Sequence, residues 1–147
     1  MRSYRSLEAW KAAHRALLVT LRAIDAANRP KTWALFDQLK RAAISIEANI
    51  VEGYALNTPR YFHKHMRIAF GSAAEAECLV LAAGEVGYLE QAVVQDLERA
   101  FGDSMRLVFG LMKGRRAKDP TPNALRPIET DRVTGAGTQE SSAYLKL

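Results

Sequence analysis

Residues 35–53 read LFDQLKRAAISIEANIVEG, and their spacing sets the architecture. At about 100° of rotation per residue, Leu35, Phe36, Leu39, Ala43, Ile46 and Ile50 fall on one broad apolar face. Opposite them Gln38, Arg41, Ser45, Asn49 and Glu52 form a polar stripe, flanked by Ile44, Ala48 and Val51. A period near 3.6 without alternation of two is a helix, and no window elsewhere in the chain alternates long enough for a strand. The helix therefore carries apolar residues on two sides. A solvated helix of a monomer needs only one such stripe, so the second predicts a further packing surface, most simply another copy of the chain.

The neighbouring segments show the same period. The expected limits of the central helix are Thr32 and Leu56, with Gly53 as C-terminal punctuation. Before it, Leu7, Trp10, His14, Leu17, Leu21 and Ile24 recur at 3-4-3-4-3 spacing as a bundle seam, with Ser6 as cap and Asn28 and Pro30 as the stop. After it, Thr58 as N-cap and Pro59 at the first position open a third helix that ends at Gly87. Its core face is Phe62, Met66, Ala69, Ala73, Ala76, Val80 and Ala83, with Phe70 and Leu81 projecting from the other side. A fourth helix carries Leu89, Val93, Leu97, Ala100, Ser104, Leu107 and Leu111 and closes at Lys113 to Arg116. From Ala117 on, Pro120, Pro122, Pro127, Gly135 and Gly137 punctuate a stretch poor in large apolar residues, which predicts a disordered tail over 117–147. Residues 1–116 are thus expected to form an all-α bundle of four helices.

The chain has 147 residues and 16.3 kDa, is 48% hydrophobic and 25% charged, and carries one cysteine. That excludes a disulfide scaffold, and no apolar run approaches the roughly 18 residues of a membrane span, so the reducing cytoplasm is the expected compartment and no membrane partner is expected. The net charge of +5 is uneven: residues 1–73 hold 12 basic and 5 acidic residues, and residues 74–112 hold 2 and 7. Such a surface suits a polyanion on one side, RNA above all, or a basic face packed on the acidic face of another copy.

The run Gln38-Leu39-Lys40-Arg41-Ala42-Ala43-Ile44-Ser45-Ile46-Glu47-Ala48-Asn49-Ile50-Val51-Glu52-Gly53 resembles the pattern QLRRAAxSIPANIAEG of the S23-like, 23S rRNA intervening-sequence proteins. Ile68 to Glu75 and Gly87-Tyr88-Leu89 resemble two further motifs of that family, and the likeness spans residues 4–113. Glu47 stands where the family often has proline, Lys40 and Val51 replace arginine and alanine, and the tail has no counterpart. The resemblance implies an antiparallel up-down-up-down four-helix bundle that assembles into a homopentamer without enzymatic activity. It extends to the accessory variability proteins of diversity-generating retroelements, which bind a reverse transcriptase and its RNA. On that reading Arg41, Ser45, Asn49, Glu52 and Glu75 make a polar network between helices, with Arg41 neutralised by a carboxylate and Phe70 and Leu81 at the subunit interface. The candidates for phosphate contact are Arg2, Arg5, Lys11, Arg15, Arg22, Lys64, Arg67, Arg115 and Arg116.

Other chemistry finds less support in the residues. Two-metal carboxylate sites in bundles need Glu-x-x-His pairs, and the chain has none. His63 and His65 diverge by about 200° on a helix, which argues against joint chelation, so no metal or other cofactor is expected. His14 reads as a hydrogen-bonded core residue and Cys78 as an inert thiol. The one catalytic alternative is Arg60 and His65, which resemble the short motif of HEPN ribonucleases, where arginine stabilises the transition state and histidine moves a proton.

Overall fold

The computed structural model describes residues 3–116; the expected tail over 117–147, and Arg2, lie outside them. Four helices follow one another: α1 (Glu8–Ala27), α2 (Trp33–Leu56), α3 (Pro59–Glu85) and α4 (Gln91–Arg116). Each packs on two neighbours, α1 on α2 and α4, and α3 on α2 and α4, while the diagonal pairs barely touch. Facing residues run in opposite order along each pair. Gln38 meets Glu75 and Asn49 meets His65 between α2 and α3. Phe70 meets Phe109, and Gly84 lies against Val94, between α3 and α4. The ends of α1 and the start of α4 converge where Ala23, Ala27 and Val93 line one cleft. The bundle is therefore antiparallel, up-down-up-down, and its short connections impose that order.

The helix limits follow from local chemistry. Thr58 accepts from the Tyr61 amide at 3.4 Å with Pro59 in the first turn, as the sequence predicts. At the far end of α3, Gly87 takes a φ of 72°, and the Tyr88 and Gly87 amides reach back to Ala83 and Gly84 at 2.8 and 3.0 Å. This is a Schellman stop, which needs a residue free of the Cβ penalty at the left-handed position. Two expectations fail. Ser6 does not cap α1: Ser3 caps a one-turn 3₁₀ segment, Tyr4–Ser6, and Leu7 precedes α1 with no side-chain cap bond. Nor does Gly53 punctuate α2, which ends at Leu56 as expected but with Asn57 in the left-handed region as its stop. Gly53 is buried because α3 crosses it closely; a Cβ there would meet His65 Cβ and Met66 Cε at 3.0 Å.

The core is a single cluster reaching from Ala9 to Val108. All seven residues assigned to the α3 core face are buried, as are Phe36, Leu39, Ala43, Ile46 and Ile50 of α2. In α1 the centre of the buried face is Ala9, Ala12, Ala13, Ala16, Thr20 and Ile24, and Leu7, Trp10, His14, Leu17 and Leu21 sit half-buried on its flank. Small side chains take the line of closest approach, which a search for large apolar residues overlooks. In α4, Leu89 just before it and Leu97 and Ser104 within it are buried as expected, whereas Val94, Phe101 and Val108 are buried in place of their neighbours Val93, Ala100 and Leu107, so the face is turned by about half a residue. The buried hydroxyls of Thr20 and Ser104 donate to the carbonyls of Ala16 and Ala100 at 2.7 and 3.0 Å, so they enter the core at little cost. Trp10 Nε1 is buried with no acceptor among the described residues.

Candidate functional site

The polar stripe of α2 becomes one side of a seam with α3. Gln38 Nε2 donates to Glu75 Oε1 at 2.6 Å, the Ser45 and Ser72 hydroxyls are hydrogen-bonded at 2.9 Å with either able to donate, and Asn49 Oδ1 lies 2.9 Å from His65 Nδ1. Asn49 Nδ2 donates to the Ser45 carbonyl at 2.8 Å and to Ser45 Oγ at 3.2 Å. A carbonyl only accepts, so it orients the amide, and Asn49 Oδ1 must face the histidine. His65 Nδ1 then carries a hydrogen, because its second neighbour, Glu52 Oε2 at 3.3 Å, also only accepts. Ser45, Asn49, Glu52 and Glu75 thus belong to one interhelical ladder, completed by Gln38, Ser72 and His65.

Arg41 does not join the ladder. Its guanidinium pairs with Asp37 one turn back on the same helix, at 2.6 Å and in an exposed position, because its Cβ points to the outer side of α2. The expected neutralising carboxylate is present but lies in the wrong element for a tie between helices. Sequence reading also missed Ser72 and His65 as ladder members. The signal was available: His65, Ser72 and Glu75 lie on one edge of α3, spaced by seven and three residues.

A second polar tie joins α1 to α2. His14 Nδ1 lies 3.2 Å from both oxygens of Glu47, with Trp10 stacked on the imidazole at 5.0 Å between ring centroids. His14 is hydrogen-bonded, as expected, at the rim of the core rather than within it.

Arg60 and His65 do not converge. Five residues turn α3 by about 140°, so Arg60 stands on the exposed outer face while His65, with 12% of its side chain accessible, turns into the seam. Cys78 is exposed, and among the described residues no three of histidine, cysteine, aspartate and glutamate group to hold a metal ion. No described helix is long and apolar enough to cross a membrane.

The basic residues divide between two corners. Arg5, Lys11, Arg15 and Arg22 are exposed on or just before α1, and Lys64 and Arg67 on α3, its diagonal partner. Arg115 and Arg116 end α4. Antiparallel folding nevertheless gathers charge lengthwise. The half of the bundle where α1 and α3 begin (residues 3–17, 45–72 and 104–114) holds 8 basic and 3 acidic residues, and the other half holds 6 and 9. Apolar surface is also left open. Ile44 remains 46% exposed on the outer face of α2, beside half-buried Ala48 and Val51. Leu81 and Phe109 remain 44% and 45% exposed around the groove between α3 and α4. Phe70, expected to project from the side opposite the core, is half-buried, and its ring packs on Phe109 at 6.2 Å.

A bundle of four antiparallel helices, tied by polar hydrogen bonds at its seams, defines the class. The chain belongs to the 23S rRNA-intervening sequence protein family, whose model matches residues 5–110. It is similar to the crystal structure of a protein of unknown function from the S23 ribosomal protein family of Bacteroides thetaiotaomicron, with a TM-score of 0.62 and 20% identity over 69% of this chain and 95% of that one. At that identity the likeness speaks for the fold alone. No curated protein matches the chain.

Proposed function

We propose that this protein is a non-enzymatic, homo-oligomeric bundle, a ring of five copies, that serves as a nucleic-acid-binding accessory module in the cytoplasm. The observation that carries the assembly is large apolar side chains left open on different faces, among them Ile44 on α2, Leu81 on α3 and Phe109 on α4. A two-fold dimer needs one self-complementary patch, whereas two distinct patches suit head-to-tail contacts that close into a ring. The number five rests on the family resemblance. RNA is the polyanion that the basic half favours, and a reverse transcriptase is the enzyme partner that the retroelement branch of the resemblance suggests.

Light scattering of the full chain tests the assembly: the expected mass is five times 16.3 kDa, unchanged by nuclease, and a monomer at micromolar concentration refutes it. Retention of RNA at low salt, weakening steeply as salt rises, tests the ligand, and no retention refutes that part. RNA should stay intact on long incubation. Cleavage lost in His65→Ala would overturn the non-enzymatic reading.

A further inference from the structure

The first turns of α3 present a basic outer face edged by an exposed aromatic ring. Arg60, Lys64 and Arg67 recur at four and three residues and span about 10 Å of helix, all exposed. Tyr61 and Ile68 flank them toward α2, 49% and 40% exposed. Among the described residues no carboxylate lies within ion-pair distance of these three cations. Lys11 is held by Glu8, Lys40 and Arg41 by Asp37, Arg99 by Asp96 and Arg106 by Asp103; Arg5, Arg15, Arg22, Arg29, Lys31 and Lys113 also lack an ion-pair partner among the described residues, but no three of them recur on one helix. Glu52, on the α2 side, is in contact with His65 at 3.3 Å.

We infer that this face binds single-stranded nucleic acid, with phosphates on Arg60, Lys64 and Arg67 and an unpaired base stacked on the Tyr61 ring. The inference rests on the nucleic-acid reading above and adds a place and a strandedness to it. Unpaired cations retain their full attraction for phosphate, since no carboxylate must first be displaced. An exposed phenol beside them offers a ring face that a base can cover, and a duplex hides its base faces from such a platform. The support is rigid: Thr58 and Pro59 begin the helix, and the Asn49–His65 bond ties its second turn to α2.

The test is binding of the full-length protein to a short, dye-labelled single-stranded RNA and to a duplex of equal length, followed by fluorescence anisotropy. Three phosphate contacts give a salt slope of about −2 for a single strand, so raising salt from about 50 to 200 mM weakens binding roughly 20-fold. The pair Lys64→Gln with Arg67→Gln reduces that loss to about threefold. Tyr61→Leu weakens the single strand at least about fivefold and leaves the duplex unchanged, and Tyr61→Phe restores the affinity. Lys40→Gln with Arg99→Gln, cations held by Asp37 and Asp96 in the other half of the bundle, changes little. Since these side chains are exposed, unchanged circular dichroism confirms each fold. If the wild type binds RNA but Lys64→Gln with Arg67→Gln leaves affinity and salt dependence unchanged, or Tyr61→Leu has no effect, or an acidic peptide competes as well as RNA, the site is not this one. If the wild type binds no RNA, the nucleic-acid reading itself falls.

Discussion

Asn49→Asp exchanges an amide nitrogen for an oxygen and probes the whole seam between α2 and α3. Asparagine and aspartate have similar helix propensity and nearly the same shape, so the effect is electrostatic. In the wild type, Nδ2 donates to the Ser45 carbonyl at 2.8 Å and to Ser45 Oγ at 3.2 Å. The substitution removes both donations, each worth about 1 kcal/mol net, and sets two acceptors face to face. Partial relief comes from the Ser45 hydroxyl, which can turn from Ser72 to donate to the new carboxylate, while His65 Nδ1 keeps an acceptor. The expected loss is about 1–3 kcal/mol. Asn49→Ala removes the same donations without adding an acceptor and gains helix propensity, so it should lie between wild type and Asn49→Asp. Urea unfolding followed by circular dichroism, at one protein concentration and neutral pH, reads this as a lower midpoint with unchanged slope. A change under about 0.5 kcal/mol, the level of an ordinary surface substitution, would refute the amide orientation and with it the hydrogen on His65 Nδ1.

Three further outcomes are expected. Ile44→Asp should reduce the assembly to protomers with the helix content intact, because covering the exposed half of such a side chain is worth about 1 kcal/mol and burying an unpaired carboxylate costs more; an unchanged mass in light scattering would remove this face from the interface. Gly84→Ala places a Cβ 2.8 Å from Val94 Cγ2, and overpacking of about 1–3 kcal/mol should outweigh the roughly 1 kcal/mol of helix propensity gained. Adding Val94→Ala makes room, so the double variant should lose less than the two singles together, and strict additivity would contradict the close approach. Lys11 hydrogen-bonds Glu8 and adds its charge, holding that carboxyl below the usual carboxylate range. Since the folded value is depressed, the pair stabilises the protein above the ordinary carboxylate range and that contribution is lost as pH falls through the folded value. In Lys11→Ala the Glu8 titration, followed by NMR, should move upward, and an unmoved titration would deny the pair.

Legibility differed from helix to helix for physical reasons. The buried face of α3 was readable because large and small apolar residues share one period there, and Thr58-Pro59 marks its start unambiguously. In α1 the large residues lie beside the line of closest approach, and the alanines occupy it. Gly53 looks like a stop because glycine often ends helices, yet its role is to admit His65 and Met66 of α3. Of the ladder, the α2 side was visible as a polar stripe. The α3 side was not, since Ser72 and His65 become polar partners only through the register of two helices. The charge of Arg41 called for a carboxylate, and nothing local said whether a neighbouring helix or its own would supply one.

Periodicity and end signals are local properties, encoded in residues a few positions apart. They specify four helices, most of their limits, the composition of each face and the balance of charge along the chain. Rotation of each helix about its axis depends on how closely two surfaces can approach, which is a property of the pair. Only packing therefore placed alanines at the centre of α1, turned His65 away from Arg60, and sent the basic residues of α1 and α3 to opposite corners. The antiparallel path likewise converted an order of charges along the chain into a difference between the two ends of the bundle, because each reversal returns the chain to the end it had left.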